Sequence, residues 1–208
     1  HSAALLGLLG SLNACDLGSR ELGSDHQLWT ASERGGVLDV LATRPDDGVV
    51  AGGGRRGAAS VATGAIVESY DAQGSLAWRR DAAALGLSTT ASGVLDLVVG
   101  ADGRVVVLAQ SEDIVGTAGD VACCFELLGL DADGTVRWSE ALAGDPGDRF
   151  APAPELAIGA DEIVVVAMRG DAADHLLRRS LAGESIGDAV SLGSGALGRG
   201  LAVLPDGG

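Results

Sequence analysis

Apolar runs of strand length recur along the chain, and turns containing Asp-Gly separate them. Val105–Ala109 and Ile163–Met168 are continuous apolar runs, far shorter than the roughly 20 residues that a membrane-spanning helix needs. Asp133-Gly134 is one of the Asp-Gly pairs, which supply the positive φ angles that tight hairpins require. The pattern therefore predicts short antiparallel strands joined by tight turns.

The strand pattern repeats along the chain. Tyr70–Trp78 (YDAQGSLAW) aligns without a gap with Leu130–Trp138 (LDADGTVRW), a spacing of 60 from position 78 to position 138. Gly36–Ala42 (GVLDVLA) matches Gly93–Val99 (GVLDLVV) at a spacing of 57, and a further copy begins at Gly200. Each unit reads as four antiparallel strands, and a fixed period of this length is typical of repeat architectures.

One such sheet would leave two apolar faces in water, so neighbouring sheets must cover them. Radial packing of four-stranded sheets is the propeller solution. We therefore predict an all-β fold, a partial β-propeller of four-stranded antiparallel blades, over residues 36–208. About three blades and the start of a fourth are expected, and a linear β-solenoid is the alternative.

The first 15 residues are small and apolar, carry no charge from Ser2 onward and end at Cys15. This composition predicts the apolar region of an export signal. Leu12–Cys15 (LNAC) resembles the lipobox of bacterial lipoproteins, in which the cysteine carries the lipid. We predict a truncated signal peptide over 1–15, a lipid anchor on Cys15 and a bacterial cell-envelope location, as a periplasmic or cell-surface lipoprotein. An ordinary apolar helix ending at Ala14 is the alternative.

Residues 16–35 are interpreted as a linker with a possible closing strand. Trp29 ends Asp25–Trp29 much as Trp78 ends its strand, yet no set of three strands precedes it. A propeller must join its first and last blades, and a strand from the N-terminus can pair the edge of the last one. Residues 26–32 are predicted to form this strand. Because the sequence stops in a turn at Leu204–Gly208, further C-terminal residues are expected.

Asp71–Trp78 and Asp131–Trp138 resemble the repeats of quinoprotein-like (pyrroloquinoline-quinone-type) β-propellers. In that family, a turn of the form Asp-Ala-x-x-Gly leads into an outer strand whose tryptophan docks against the next blade. The resemblance implies blade-packing roles for the three tryptophans, Trp29, Trp78 and Trp138. It also implies a bacterial lipoprotein subtype, whose members help to assemble outer-membrane proteins. The third unit, Ser180–Gly187, departs from the pattern because it has no tryptophan.

Cys123 and Cys124 are adjacent. Quinoprotein dehydrogenases contain a disulfide between neighbouring cysteines beside the cofactor, so the resemblance implies a vicinal disulfide here. The alternative is two free, mostly buried thiols, because consecutive strand residues point to opposite faces and the bridge demands a distorted peptide.

Charge and motif content restrict the classes of function. The chain has 29 acidic and 14 basic residues and a net charge of −15, which disfavours nucleic-acid binding. No nucleophile elbow, phosphate loop or zinc-ligand spacing occurs, so no catalytic residue, metal site or cofactor is predicted. The leading hypothesis is a lipid-anchored, non-catalytic module that binds a protein or another macromolecule. A quinoprotein-type dehydrogenase with a quinone cofactor and calcium, and a calcium-stabilised adhesion module, are the alternatives.

Overall fold

The computed structural model describes residues 36–56, 62–87, 92–115, 120–142, 154–159, 162–168, 174–193 and 201. Within these ranges, twelve strands form three four-stranded antiparallel sheets, here called blades 1 to 3. Blade 1 holds β1 (Gly36–Thr43), β2 (Val49–Arg56), β3 (Ala62–Tyr70) and β4 (Leu76–Asp81). Blade 2 holds β5 (Ser92–Val99), β6 (Val105–Val115), β7 (Asp120–Leu130) and β8 (Val136–Leu142). Blade 3 holds β9 (Glu155–Ile158), β10 (Val164–Met168), β11 (Asp174–Arg179) and β12 (Val190–Gly193).

The strands of each blade pair in chain order, as an antiparallel meander. The first strand of blade 2, β5, contacts β1, β2 and β3 of blade 1 on one side and β9 of blade 3 on the other. Blades therefore pack face to face with their first strands as neighbours, which is the arrangement of a propeller. The predicted fold class is confirmed. The solenoid alternative is wrong because all four strands of each sheet come from one repeat, and no sheet runs on into the next repeat. The fourth copy, expected from Gly200, lies outside the described residues except for Leu201.

Blade 2 is sandwiched between the other two, which accounts for its continuous apolar strand. Val105 and Val107 belong to a core shared with Val50 and Val67 of blade 1. The alternate side chains of the same strand, such as Val106, belong to a second core shared with blade 3. A strand that is covered on both faces needs apolar residues at every position, so its sequence reads as a run and not as an alternation.

A short helix, α1 (Ala82–Leu85), links blade 1 to blade 2 and was not predicted from the sequence. Asp81 caps its first turn by accepting a hydrogen bond from the Ala84 N–H at 3.0 Å. Gly86 ends it in the left-handed conformation, with φ of 76°. Ala82 and Leu85 are buried against the first core, so the helix closes one end of the interface between blades 1 and 2.

The backbone hydrogen bonds align the first strands of blades 1 and 2 differently, by one residue, from the match between their sequences. The N–H groups of Arg44 and Gly100 donate to equivalent carbonyls four residues later, both at 2.8 Å, so these positions correspond at a spacing of 56 and not 57. Both β1 and β5 contain a register shift near their starts. Asp96 consequently corresponds to Val40, and Asp39 falls within the irregular part of β1. The shared letters GVLD therefore misalign the two strands.

Candidate functional site

The junction between blades 1 and 2 is centred on Trp78 in β4. Its indole Nε1–H donates to the carbonyl oxygen of Ala132 in blade 2, at 2.7 Å. The ring lies directly over Gly134, where an added Cβ would come within 2.7 Å of the Trp78 Cδ2 atom. Gly134 has φ of 81°, which favours glycine on its own account. The outer turn of blade 2, Asp131–Thr135 between β7 and β8, is therefore a receptor for the indole.

Trp138 makes the equivalent junction between blades 2 and 3. Its Nε1–H donates to the Leu181 carbonyl oxygen at 3.0 Å, and its ring lies over Gly183, where a Cβ would be 2.6 Å from Cδ2. The receptor is the outer turn of blade 3, Ser180–Glu184, whose glycine also has a positive φ, of 86°. Blade 3 therefore keeps the receptor although its own repeat has no tryptophan.

A cation strengthens the first junction. Arg80, two residues after Trp78, donates from Nε to the Gly134 carbonyl at 2.9 Å and from Nη2 to the Asp133 carbonyl at 2.8 Å. Its guanidinium carbon lies 5.7 Å from the centre of the Trp78 ring, within cation–π range. The indole and the neighbouring cation of the same strand therefore both bind the outer turn of blade 2.

An ion pair occupies the same place in the second junction. Glu140, two residues after Trp138, accepts hydrogen bonds from Arg179 Nε at 2.7 Å and Nη2 at 2.6 Å. These hydrogen bonds lower the pKa of the Glu140 carboxyl and raise that of the Arg179 guanidinium. The position two residues after the tryptophan therefore carries a cation in the first junction, Arg80, and a carboxylate in the second, Glu140.

Asp96 joins the first strands of blades 2 and 3. One carboxylate oxygen accepts the Leu156 N–H of blade 3 at 2.7 Å, and the other accepts the Leu97 N–H at 2.8 Å. Burial raises the pKa of Asp96, although both hydrogen bonds oppose the shift. The carboxylate is therefore a structural bridge between neighbouring inner strands.

Blade 1 contains a buried polar network that sequence reasoning missed. Glu68 is 1% exposed, accepts a hydrogen bond from the Tyr70 hydroxyl, and lies 3.2 Å from Arg79 Nη1. Burial and the neighbouring Glu68 raise the pKa of Tyr70 well above its usual range. The equivalent positions in blade 2 are Leu128 and Leu130, at a spacing of 60. The sequence does show this difference, as a polar pair at two repeat positions that are apolar in blade 2.

Among the residues that the structure describes, blade 2 differs from its neighbours in a two-stranded ribbon. β5 pairs with β6 as far as Ser111, and β8 pairs with β7 as far as Phe125. The β6–β7 ladder continues through four more residue pairs, from Glu112 opposite Cys123 to Val115 opposite Asp120. Four further rungs correspond to about 14 Å of strand. This ribbon, residues 112–115 and 120–123, extends beyond the four-stranded part of the blade.

The other predicted site residues are placed only in part. Cys123 and Cys124 lie at the base of the ribbon, opposite Glu112 and Ser111, and the vicinal disulfide stays a prediction. Cys15 and Trp29 lie outside the described residues. In the ranges that the structure describes, no three His, Cys, Asp or Glu residues are grouped as metal ligands. No helix in those ranges is long and apolar enough to cross a membrane.

No known family model matches the chain, and no curated protein does. Among solved structures, the chain is similar to a protein of unknown function from Bacteroides caccae, with 13% identity and a TM-score of 0.44 over 77% of this chain and 47% of that one. It is also similar to virginiamycin B lyase from Staphylococcus aureus, with 13% identity and a TM-score of 0.37 over 83% of this chain and 61% of that one. The chain spans about half of the first protein.

Proposed function

We propose that this chain is the propeller part of a lipid-anchored, extracytoplasmic protein that binds a protein or another macromolecule and does not catalyse a reaction. The observation that carries the proposal is the ribbon of blade 2. The tryptophan junctions already join the blades, and the ribbon extends past the strands that those junctions hold together. Elements that project from a rigid scaffold commonly provide binding surfaces.

The charge of the ribbon indicates what kind of surface it would meet. Residues 112–123 contain Glu112, Asp113 and Asp120 and no Lys or Arg, in a chain with a net charge of −15. A partner surface rich in Lys and Arg would be attracted to this region, and association would slow as added salt screens the charges. The expected partner surface is therefore a basic macromolecular surface.

Removing the ribbon tests the proposal directly. Ser111 and Cys124 are opposite each other in the ladder, so an Asn-Gly turn can replace residues 112–123 and close a two-residue hairpin. The shortened protein and the parent are immobilised and exposed to envelope extract, and retained proteins are identified by mass spectrometry. A specific ligand that is retained only by the parent supports the proposal. Equal retention by both proteins contradicts it, provided their unfolding midpoints agree.

The triple substitution of Glu112, Asp113 and Asp120 by Lys is the matched control for charge. It keeps the ribbon but reverses its charge, so a basic ligand should bind more weakly, and added salt should no longer weaken that binding. Undiminished binding by the reversed ribbon would contradict electrostatic complementarity while leaving the ribbon itself as a contact surface.

The lipid anchor is tested separately on the full-length protein. If Cys15 carries the lipid, a Cys15→Ser variant leaves the membrane fraction, and mass spectrometry of the parent finds an acylated N-terminal cysteine. A Cys15→Ser protein that still sediments with membranes contradicts the anchor. Addition of calcium and pyrroloquinoline quinone tests the dehydrogenase alternative, because cofactor absorbance with dye reduction would replace the binding proposal by an enzymatic one.

A further inference from the structure

We propose that the ribbon of blade 2 binds an extended, Lys- and Arg-rich segment of its partner by strand addition along β6, at residues Glu112–Val115. This inference rests on the proposed function, because it specifies how the ribbon would hold a basic macromolecule. The bound segment would form a third strand of the ribbon, paired with β6 through its backbone and attracted by the acidic charge of the ribbon.

The backbone of β6 continues past the start of its neighbour β5. In the four-stranded part of the blade, β6 lies between β5 and β7, but β5 begins at Ser92, opposite Ser111. From Glu112 to Val115, β6 is paired with β7 on one side, and within the described ranges no strand pairs with its other side. Because alternate residues of an antiparallel strand direct their N–H and C=O groups to opposite sides, about two of these residues present a donor and an acceptor at the open edge.

The open edge lacks the features that commonly prevent strand addition. Natural proteins protect such edges with lysine, proline or bulges. Glu112–Val115 (EDIV) contains neither lysine nor proline. The β6–β7 ladder runs from Val105 to Val115 without a register shift, whereas the β5–β6 and β7–β8 ladders each contain one. A regular edge with two β-branched residues is suited to pair with a further strand.

The charges of the edge select among the possible occupants. Glu112 and Asp113 are two of the four residues of the open edge, so any added strand lies directly beside acidic positions. Opposite charges on adjacent strands stabilise their pairing, and like charges destabilise it. A second copy of this edge would bring acidic positions against acidic positions. A segment rich in Lys and Arg is attracted instead, and it must be extended, since only then are its backbone groups available along one side.

A short capped peptide of alternating Lys and Thr tests strand addition on the intact chain. At saturation, the peptide should slow hydrogen exchange of every second amide of Glu112–Val115 by at least about fivefold, because only alternate N–H groups face the added strand. Protection of consecutive amides, or protection at Asp120–Cys124 instead, overturns the proposal. Absence of binding at about 1 mM peptide also overturns it.

Methylation of the peptide backbone separates strand addition from attraction by charge alone. N-methylation of every second residue leaves free N–H groups on one side of the peptide, so at least one of the two alternating isomers should bind as tightly as the unmodified peptide. N-methylation of every residue removes the donors on both sides and keeps the Lys charges, and it should weaken binding at least about tenfold. Equal affinity of the fully methylated peptide would overturn strand addition and leave the proposed basic partner standing.

Two matched substitutions identify the edge that pairs. Asp113→Asn and Asp120→Asn remove the same charge, the first from β6 and the second from β7. Asp113→Asn should weaken peptide binding about two- to fivefold, and Asp120→Asn, one strand further from the added segment, should weaken it less. Equal losses, or a larger loss for Asp120→Asn, contradict addition along β6. Replacement of the ribbon by the Asn-Gly turn should abolish peptide binding, and undiminished binding by that shortened protein would contradict the proposed function of the ribbon as well.

Discussion

Substitution of Gly134 by alanine is expected to break the junction between blades 1 and 2 from the receptor side. The new methyl group would lie 2.7 Å from ring atoms of Trp78, a distance that requires the indole to move. Overpacking of this kind costs about 1 to 3 kcal/mol. The positive φ of 81° at Gly134 adds about 1 to 2 kcal/mol for a residue with a Cβ. The expected loss in the free energy of unfolding is therefore about 2 to 5 kcal/mol.

Gly86→Ala separates the two contributions. Gly86 has φ of 76° and no atom within 4 Å of an added Cβ, so its substitution should cost only the backbone part, about 1 to 2 kcal/mol. Urea unfolding followed by circular dichroism gives both values under the same conditions. The difference between the two variants, about 1 to 3 kcal/mol, measures the steric conflict with the indole.

The same two substitutions in a Trp78→Leu protein test whether the indole causes the difference in stability. Without the indole, the added methyl group has no ring to displace, so Gly134→Ala should cost no more than Gly86→Ala. If Gly134→Ala and Gly86→Ala are equally damaging while Trp78 is present, the indole does not rest on the turn. If Gly134→Ala still costs more stability than Gly86→Ala after Trp78 is replaced, its effect comes from a contact other than the one with the Trp78 ring.

Three further outcomes are expected from the polar contacts between blades, each measured by denaturant unfolding. Trp138→Phe keeps an aromatic ring but loses the hydrogen bond to the Leu181 carbonyl, and should cost about 1 kcal/mol; no change would mean that water replaces the donor without loss. Glu140→Gln should cost about 1 kcal/mol at neutral pH, a value reduced by partial exposure. Because the pKa of Glu140 is lowered in the folded protein, its contribution is present above the ordinary carboxyl pKa and is lost as the pH falls through the folded value, so the variant and the parent should converge in acid. Asp96→Asn should be destabilising by about 1 to 3 kcal/mol because an amide can accept only one of the two N–H groups that the carboxylate bonds; equal stability would show that the bridge contributes nothing.

The strand pattern and the tryptophan positions were predictable because they depend on local sequence. Asp-Gly turns and runs such as Val105–Ala109 specify hairpins and buried strands through backbone conformation and hydropathy. The spacing between Trp78 and Trp138 identified equivalent strand positions in consecutive repeats. The receptor in blade 3 was not predicted because that repeat has no tryptophan, whereas the receptor itself requires a glycine with positive φ, Gly183.

Hydrogen bonds between blades were harder to predict from the sequence because they join residues that are 27 to 61 positions apart. The pairing of Arg179 with Glu140 and of Asp96 with the Leu156 N–H depends on how two sheets are offset. The correspondence of Asp96 with Val40 and not with Asp39 depends on register shifts, which hydropathy does not specify. The ribbon of blade 2 was likewise hidden, since strand length beyond a paired neighbour is a property of the whole sheet.

Each tryptophan junction has a direction, since one blade contributes the ring and the next contributes the turn. A single contact of this kind is not self-complementary, so a two-fold symmetric dimer would have to form it twice, with each copy giving its ring to the turn of the other. Copies that met through one such contact would associate head to tail, giving either a closed ring or an open filament. The direction from the indole to its glycine turn therefore restricts how symmetric assemblies could use the same junction.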